Sequence, residues 1–305
     1  MTATEPSVVV GVDGSDQAVA AARAAAAEAA RRNWPLRLVR AFNWGGIPLP
    51  GFPDTWAARE CSRRSANTDL DRLLRDLSDC VPRWMTSSCL VEGQAASALC
   101  RAAGRDDLLV VGASGQGWGA SGVLGSVAEA VAAQSGCPVL VHRPHRSGMP
   151  IARRVLVGVD GGAGSAAVLD AAADEASARG LPLVVLHAWR QLTDDDPHTL
   201  RWRLAGDQTA AVETAAVQPA VDRLRRQRPG LQVDLEIRQG RAGRVLTHAA
   251  DDTDLVVVGR RDMLSGGPGS TVHAVLHRAH ASVLLVPVAS PVAPRTHVPS
   301  TVAAR

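Results

Sequence analysis

Short β-branched apolar runs alternate along this chain with alanine-rich or charged stretches of helical length. The run from Ser7 to Val12 is closed by Asp13-Gly14, which suits a strand buried on both faces of a parallel sheet. Asp16 to Asn33 is rich in alanine, has Ser15 or Asp16 placed to cap it, and reads as a helix. The alternation continues with a strand at Leu36 to Phe42, a charged helix at Ala57 to Leu77, a strand at Ser87 to Val91 and a helix at Gln94 to Ala103. A strand at Asp107 to Val111, a helix at Ser126 to Gln134 and a strand at Val139 to His142 complete the unit. Strands alternating with helices predict an α/β fold with a parallel sheet and right-handed crossovers.

The pattern then begins again. VVVGVDGS, ending at Ser15, returns as VLVGVDGG, ending at Gly162, and DLLVVGAS, ending at Ser114, returns as DLVVVGRR, ending at Arg261. Asp13 and Asp160, Gly93 and Gly240, Asp107 and Asp254, and Gly112 and Gly259 are each 147 residues apart. Past Gly112 the spacing falls to 144, pairing Gly125-Ser126 with Gly269-Ser270 and Val139-Leu140 with Val283-Leu284. The second copy has therefore lost three residues between Gly259 and Gly269. Two domains are expected, 1–146 and 151–288, with the joint in the polar stretch near Pro144 to Ala152. The tail 289–305 is rich in Pro, Ser and Thr without periodicity and is expected to be disordered.

Composition narrows the function. A length of 305 residues at 46% hydrophobic content suffices for two cores. The net charge of +3, left by 33 basic and 30 acidic residues, implies no strong field for nucleic acid or an anionic membrane. All the basic residues are Arg, so a phosphate loop with its lysine, a Schiff base and a phosphoacceptor receiver site are excluded. The five cysteines, Cys61, Cys80, Cys89, Cys100 and Cys137, never form a CxxC pair and read as reduced thiols acting as small hydrophobes. The first residues, MTATEPSVVV, carry no basic leader, and no apolar stretch is long enough to span a bilayer, so a cytoplasmic protein is expected.

Candidate chemistry gathers between the fourth strand and the helix after it, where the first copy reads GASGQGWGASGVLGS from Gly112 to Ser126. Glycines there let the backbone approach a ligand closely, and successive amides can converge on an anion. Ser126 opens a helix whose N-terminal amides and dipole favour phosphate oxygens. In an open α/β sheet the ligand belongs at the carboxyl ends of the strands, where Asp13 and Gly112 stand.

The spacing Gly112-x2-Gly115-x9-Gly125-Ser126, after DLLVVG and with VGVDGS at the start of the unit, resembles the ATP-binding branch of the universal stress protein family in tandem form. The resemblance covers nearly the whole chain. It implies two doubly wound five-stranded parallel sheets of strand order 3-2-1-4-5, with ATP held between strands one and four. Carried over by position, Gly11 lies in the strand-one motif and Asp13 is the acid near the adenosine. Ala41 pairs with the adenine edge, and Val111 and Gly112 contact the ribose side. Gly115, Gly125, Ser126 and Val127 cradle the phosphates. A divalent ion, Mg²⁺ or Mn²⁺, is expected with the phosphates, although no carboxylate cluster marks its ligands. The resemblance also implies antiparallel pairing of the apolar fifth strands, within the chain or in a homodimer, and regulatory protein partners.

The second copy departs from this pattern. Asp160 and Ala188 are kept, but Asp262 stands at the second glycine, the loop is shorter and Gly162 replaces Ser15. A carboxylate aimed at a triphosphate repels it by about 1 kcal/mol or more, which Arg260 and Arg261 could offset. ATP is expected in the first domain, with little or no catalysis. The alternative is a nucleotide-independent dimerising scaffold. An enzyme cleaving ATP at the α-phosphate is disfavoured because VDGSDQ lacks the SGGxDS loop of that group and no general base or substrate domain stands out.

Two further groups have plain structural readings. His273, His277 and His280 share one helix face and the i, i+4 pair is a possible metal site, but no acid or cysteine lies in that helix and the matching positions are Glu129, Ala133 and Gly136, so a solvated or interface face is favoured. Arg223, Arg225, Arg226 and Arg228 end a long helix, where they complement its dipole. With only 3% aromatic residues to stack bases, they do not suggest nucleic-acid binding. Trp44, Trp56, Trp118 and Trp202 fall in or near predicted loops.

Overall fold

The computed structural model describes residues 5–43, 55–115, 124–144, 152–162, 164–190, 206–261 and 269–288. The side chains of Trp44, Trp56, Trp118 and Trp202, the loop centre 116–123, Asp262 and the tail 289–305 lie outside them.

The first half comprises β1 (Val8–Gly11), α1 (Asp16–Arg32), β2 (Leu36–Phe42), α2 (Thr55–Asp76), β3 (Thr86–Glu92), α3 (Ala95–Ala102), β4 (Leu108–Gly112), α4 (Ser126–Gln134) and β5 (Val139–His142). The second comprises β6 (Ala152–Val159), α5 (Ser165–Arg179), β7 (Leu183–Trp189), α6 (Gly206–Gln227), β8 (Val233–Gln239), α7 (Ala242–Ala249), β9 (Thr253–Arg261), α8 (Ser270–Arg278) and β10 (Ser282–Val288). The predicted elements of the first copy are present to within a residue or two.

Local chemistry explains the helix limits. Ser15 caps α1, its hydroxyl accepting the Ala18 N–H at 3.1 Å. Alanine fills the buried face of α1, where a small side chain brings the helix close to the sheet at little entropic cost. Asn33 ends α1 in the left-handed region at φ 53°, and Gly180, its counterpart, ends α5 at φ 62°. The Arg223 to Arg228 run does not simply stand in solvent. Arg223 pairs with Asp170 at 3.0 Å, Arg228 with Asp174 at 2.6 Å, and Arg225 donates to the Val233 carbonyl at 2.7 Å, tying α6 to α5 and β8. The cysteines divide as well. Cys137 is buried and Cys100 half-buried, as small hydrophobes would be, whereas Cys61, Cys80 and Cys89 are exposed.

All ten strands form one sheet, in the order β3-β2-β1-β4-β5-β10-β9-β6-β7-β8. Each half keeps the predicted 3-2-1-4-5 order, and every neighbouring pair is parallel except β5 with β10. In that antiparallel pair Leu140 stands opposite Leu284, its own repeat counterpart, with Val141 opposite Val283 and Val139 opposite Leu285. A pseudo-two-fold axis therefore passes through the Leu140–Leu284 pair. Alternation sends Leu140 and Leu284 into the core beneath α1, α2, α5 and α6, and Val139, Val141, Val283 and Leu285 into the core beneath α3, α4, α7 and α8. Both cores run unbroken from one half into the other.

Polar groups reinforce the seam on both faces. On the α1/α5 side, Glu28 and Glu175 are counterparts, as are Arg32 and Arg179, and each arginine pairs with both glutamates. Arg31 adds a further contact to Glu28. On the opposite side, Arg143 of the first half donates to the Leu276 carbonyl in the last turn of α8. Arg260 of the second half donates to the carbonyls of Ala133, at 3.1 Å, and Ser135 at the end of α4. A guanidinium at a helix C-terminus satisfies orphan carbonyls and complements the dipole.

Burial opposes ionisation of Glu28, but the guanidiniums of Arg179, Arg32 and Arg31 together overcome it and hold its pKa below the ordinary 4.5. The unfolded chain therefore takes up this proton first as the pH falls. The network's stabilisation is complete above pH 4.5 and is lost as the pH drops through the lower folded-state value. Glu28→Gln is expected to cost about 3–5 kcal/mol at neutral pH by leaving buried arginine charge uncompensated. Denaturation followed by circular dichroism between pH 3 and pH 7 checks this, since the wild-type advantage should shrink towards the acid end.

Candidate functional site

The crevice of an open α/β sheet opens where consecutive strands depart to opposite sides, and here that point lies between β1 and β4. These strands pair directly, with Val8 beside Leu108 and Val10 beside Val110, so the segments leaving their carboxyl ends face each other. A cleft of about 180 Å³ lies there, lined by all nine residues singled out in the sequence: Gly11, Asp13, Ala41, Val111, Gly112, Gly115, Gly125, Ser126 and Val127. Val39, Ala95, Leu99 and Ser114 also line it, and the sequence pattern did not mark them. Val39, Ala41, Ala95 and Leu99 make one end of the cleft apolar, while the other is built from the Gly112 to Gly115 turn, Ser114 included, and a helix start.

Asp13 is fixed in place. Its Oδ1 accepts the Ser15 N–H at 2.9 Å and the Ser15 hydroxyl at 2.6 Å, while the same hydroxyl oxygen caps α1. Its Oδ2 faces Gly115, where an added Cβ would stand 2.5 Å from that oxygen. The glycine turn thus closes against the carboxylate, which explains in physical terms why position 115 has no side chain. At Gly112 a Cβ would lie 3.2 Å from the Gln17 and Ser114 carbonyl oxygens, so the turn after β4 also approaches the start of α1 closely. The Gly125 N–H donates to the Ala113 carbonyl at 2.7 Å, which pins the far end of the loop back onto β4. Gly125 is the N-cap of α4 and supplies no side chain to cover the first-turn amides, which leaves the cleft wall an anion-attracting helix end. Gly11 has a separate requirement: a Cβ there would meet Leu99 Cδ1 at 2.6 Å, and its counterpart Gly158 meets Leu246 Cδ1 at 2.7 Å. This glycine serves helix packing in both halves.

The second half is arranged differently at the same place. Asp160 accepts the Gly162 N–H at 2.9 Å, the Ser165 hydroxyl at 3.0 Å and the Arg261 guanidinium at 2.9 Å. Burial raises its pKa, but these three donors outweigh that and hold it below the ordinary carboxylate value. Arg260 is buried with its guanidinium at the end of α4 in the first half, and Asp262, which it was expected to offset, lies outside the described residues. Strands β9 and β10 run on together to the Val288–Arg261 pair, and Val288 packs over Gly259, where a Cβ would stand 3.1 Å from its Cγ2. A different depression, of about 360 Å³, lies at the seam and is lined by Glu28, Arg31, Arg153, Arg179 and Asp254. The ion pairs already hold Glu28, Arg31 and Arg179.

Fold and cleft together define a tandem doubly wound α/β protein with a ligand-sized crevice in its first half. The sequence profile of the Universal stress protein family matches residues 6–143 and again 152–287, and the chain belongs to that family. Universal stress protein Rv2005c of Mycobacterium tuberculosis is 32% identical over 292 residues, covering 91% of this chain and 96% of the relative. The crystal structure of a universal stress protein from Archaeoglobus fulgidus DSM 4304 superposes with a TM-score of 0.65 at 15% identity, over 93% of this chain and 99% of the other. A universal stress protein solved in complex with cAMP matches 44% of this chain and 96% of its own at 24% identity and a TM-score of 0.34. Among the described residues no helix is long and apolar enough to cross a membrane.

Ser15 both orients Asp13 and caps α1, so Ser15→Ala should lower stability by about 1 kcal/mol. The midpoint of urea unfolding measures this; an unchanged midpoint would show that neither contact contributes.

Proposed function

We propose that the first half, residues 1–146, binds ATP together with Mg²⁺ or Mn²⁺ as a regulatory ligand, and that the second, residues 151–288, contributes structure rather than a second site. The convergence of Asp13, the glycine turn at Gly112 to Gly115 and the uncapped start of α4 on one cleft carries this reading. The apolar end formed by Val39, Ala41 and Leu99 suits a purine, and the helix end suits phosphate. Among the described residues that line the cleft Asp13 is the one carboxylate, and Mg²⁺ needs no more, since it commonly keeps several waters and binds through one or two carboxylates plus phosphate oxygens. The Asp160–Arg261 pair and the packing of Val288 over Gly259 in the second half support this division. The fifth strands pair within the chain, so a homodimer would use other surfaces.

Calorimetric titration of ATP with Mg²⁺ into the wild type and Gly115→Asp tests this. The substitution sets a second carboxylate against Asp13 and imitates the second copy. One ATP per chain, lost in the variant, is the expected result. Two equal sites would contradict the division of labour, and no binding in either protein would favour a nucleotide-independent scaffold.

A further inference from the structure

We propose that Glu129, His273 and His277 form a divalent transition-metal site of the zinc type that bridges the two halves of the chain. His273 and His277 lie one turn apart on α8, with ring centroids 4.2 Å apart and planes at 28°. Glu129 comes from the first turn of α4 in the other half and supplies the acid that α8 itself lacks. One ligand atom from each of the three residues lies within 4.8 Å of the other two. Nε2 of His277 is buried and has no hydrogen-bond partner among the described residues, and the nearest acidic oxygen, Oε1 of Glu129, is 3.8 Å away. That distance is too long for a hydrogen bond but suits two groups on either side of an ion.

Ligand chemistry selects the metal. Two imidazoles and one carboxylate suit Zn²⁺ and its neighbours, whereas Mg²⁺ and Ca²⁺ prefer all-oxygen sets. Bonds of about 2.0–2.1 Å in a tetrahedron place ligand atoms about 3.3 Å apart. The cluster has to contract by about 1 Å or more, and the Glu129 side chain, 51% exposed, is able to move. Three protein ligands leave a fourth position for water.

Symmetry accounts for the site and for its number. Glu129 and His273 occupy equivalent positions, 144 residues apart, on the two helices related by the seam. The counterpart of His277 is Ala133, so the three-ligand set occurs once per chain. Ser126 and Val127, which line the cleft, open the helix that carries Glu129, so an ion here fixes one wall of the cleft against the second half. Metal binding itself does not depend on the nucleotide reading.

Co²⁺ titration of untagged, reduced protein tests the proposal by visible d–d absorption, with thermal unfolding measured in parallel. The expected result is one Co²⁺ per chain, displaced by Zn²⁺, and a raised unfolding midpoint. The exposed His273→Ala change should abolish the band and the shift while leaving the metal-free midpoint unchanged, and Glu129→Gln should weaken both. Absence of a band and of a shift in the wild type would overturn the proposal. So would unchanged binding in both variants, or near-ultraviolet thiolate charge transfer in place of an imidazole-type spectrum, since the metal would then sit on cysteine.

Discussion

The antiparallel pairing of β5 with β10 is the constraint on which the rest of the molecule depends. Each half taken alone would expose an apolar fifth strand with unmatched backbone donors and acceptors, the kind of edge that recruits other chains. Joining the two edges removes both and makes one ten-stranded sheet. The outer edges that remain, β3 and β8, carry polar and charged residues such as Thr86, Ser88, Glu92, Asp234, Glu236 and Arg238. Such side chains discourage further strand addition.

The seam also explains why two copies with one ancestral pattern have diverged. Near the axis, residues with the same position in the repeat meet, and the structure uses this on both faces. Glu28 and Glu175 share two arginines on one face, and Glu129 meets α8 on the other. Away from the axis each copy was able to change separately. The first kept the glycine turn against Asp13, while the second extended β9 and β10, seated Val288 over Gly259 and tied Arg261 to Asp160.

Most of the fold could be read from the sequence because it is encoded locally. Buried parallel strands such as Val8–Gly11 announce themselves as β-branched runs, the alanines of α1 mark a helix lying close on a sheet, and the 147-residue repeat fixes the equivalence of the halves. Strand ends and the glycine turn pointed to Asp13 and Gly112, the family resemblance supplied positions such as Ala41 and Val127, and all nine line one cleft. What could not be read depends on how the halves meet. The acid near His273 and His277 comes from a helix about 144 residues away in the chain, so inspecting α8 alone reveals only an unaccompanied histidine pair. The signal was available in the equivalence of Glu129 and His273, but it gains meaning only once an axis runs between their helices. Arg260 lies beside the second copy's loop in sequence, and that its side chain reaches carbonyls at the end of α4 in the first half is visible only in the fold. The exposed cysteines likewise follow from which helix and strand faces meet solvent, which composition does not encode.

The crossing of Arg260 has a consequence for how this protein can be divided. A fragment ending before β6 would keep α4 without the guanidinium that closes its C-terminus, and a fragment beginning there would carry that arginine without the α4 carbonyls. Each would also inherit half of the glutamate–arginine quartet and a bare fifth strand. The tandem is therefore not two beads on a string. The two repeats share one sheet, in which each covers the fifth-strand edge that the other would leave bare.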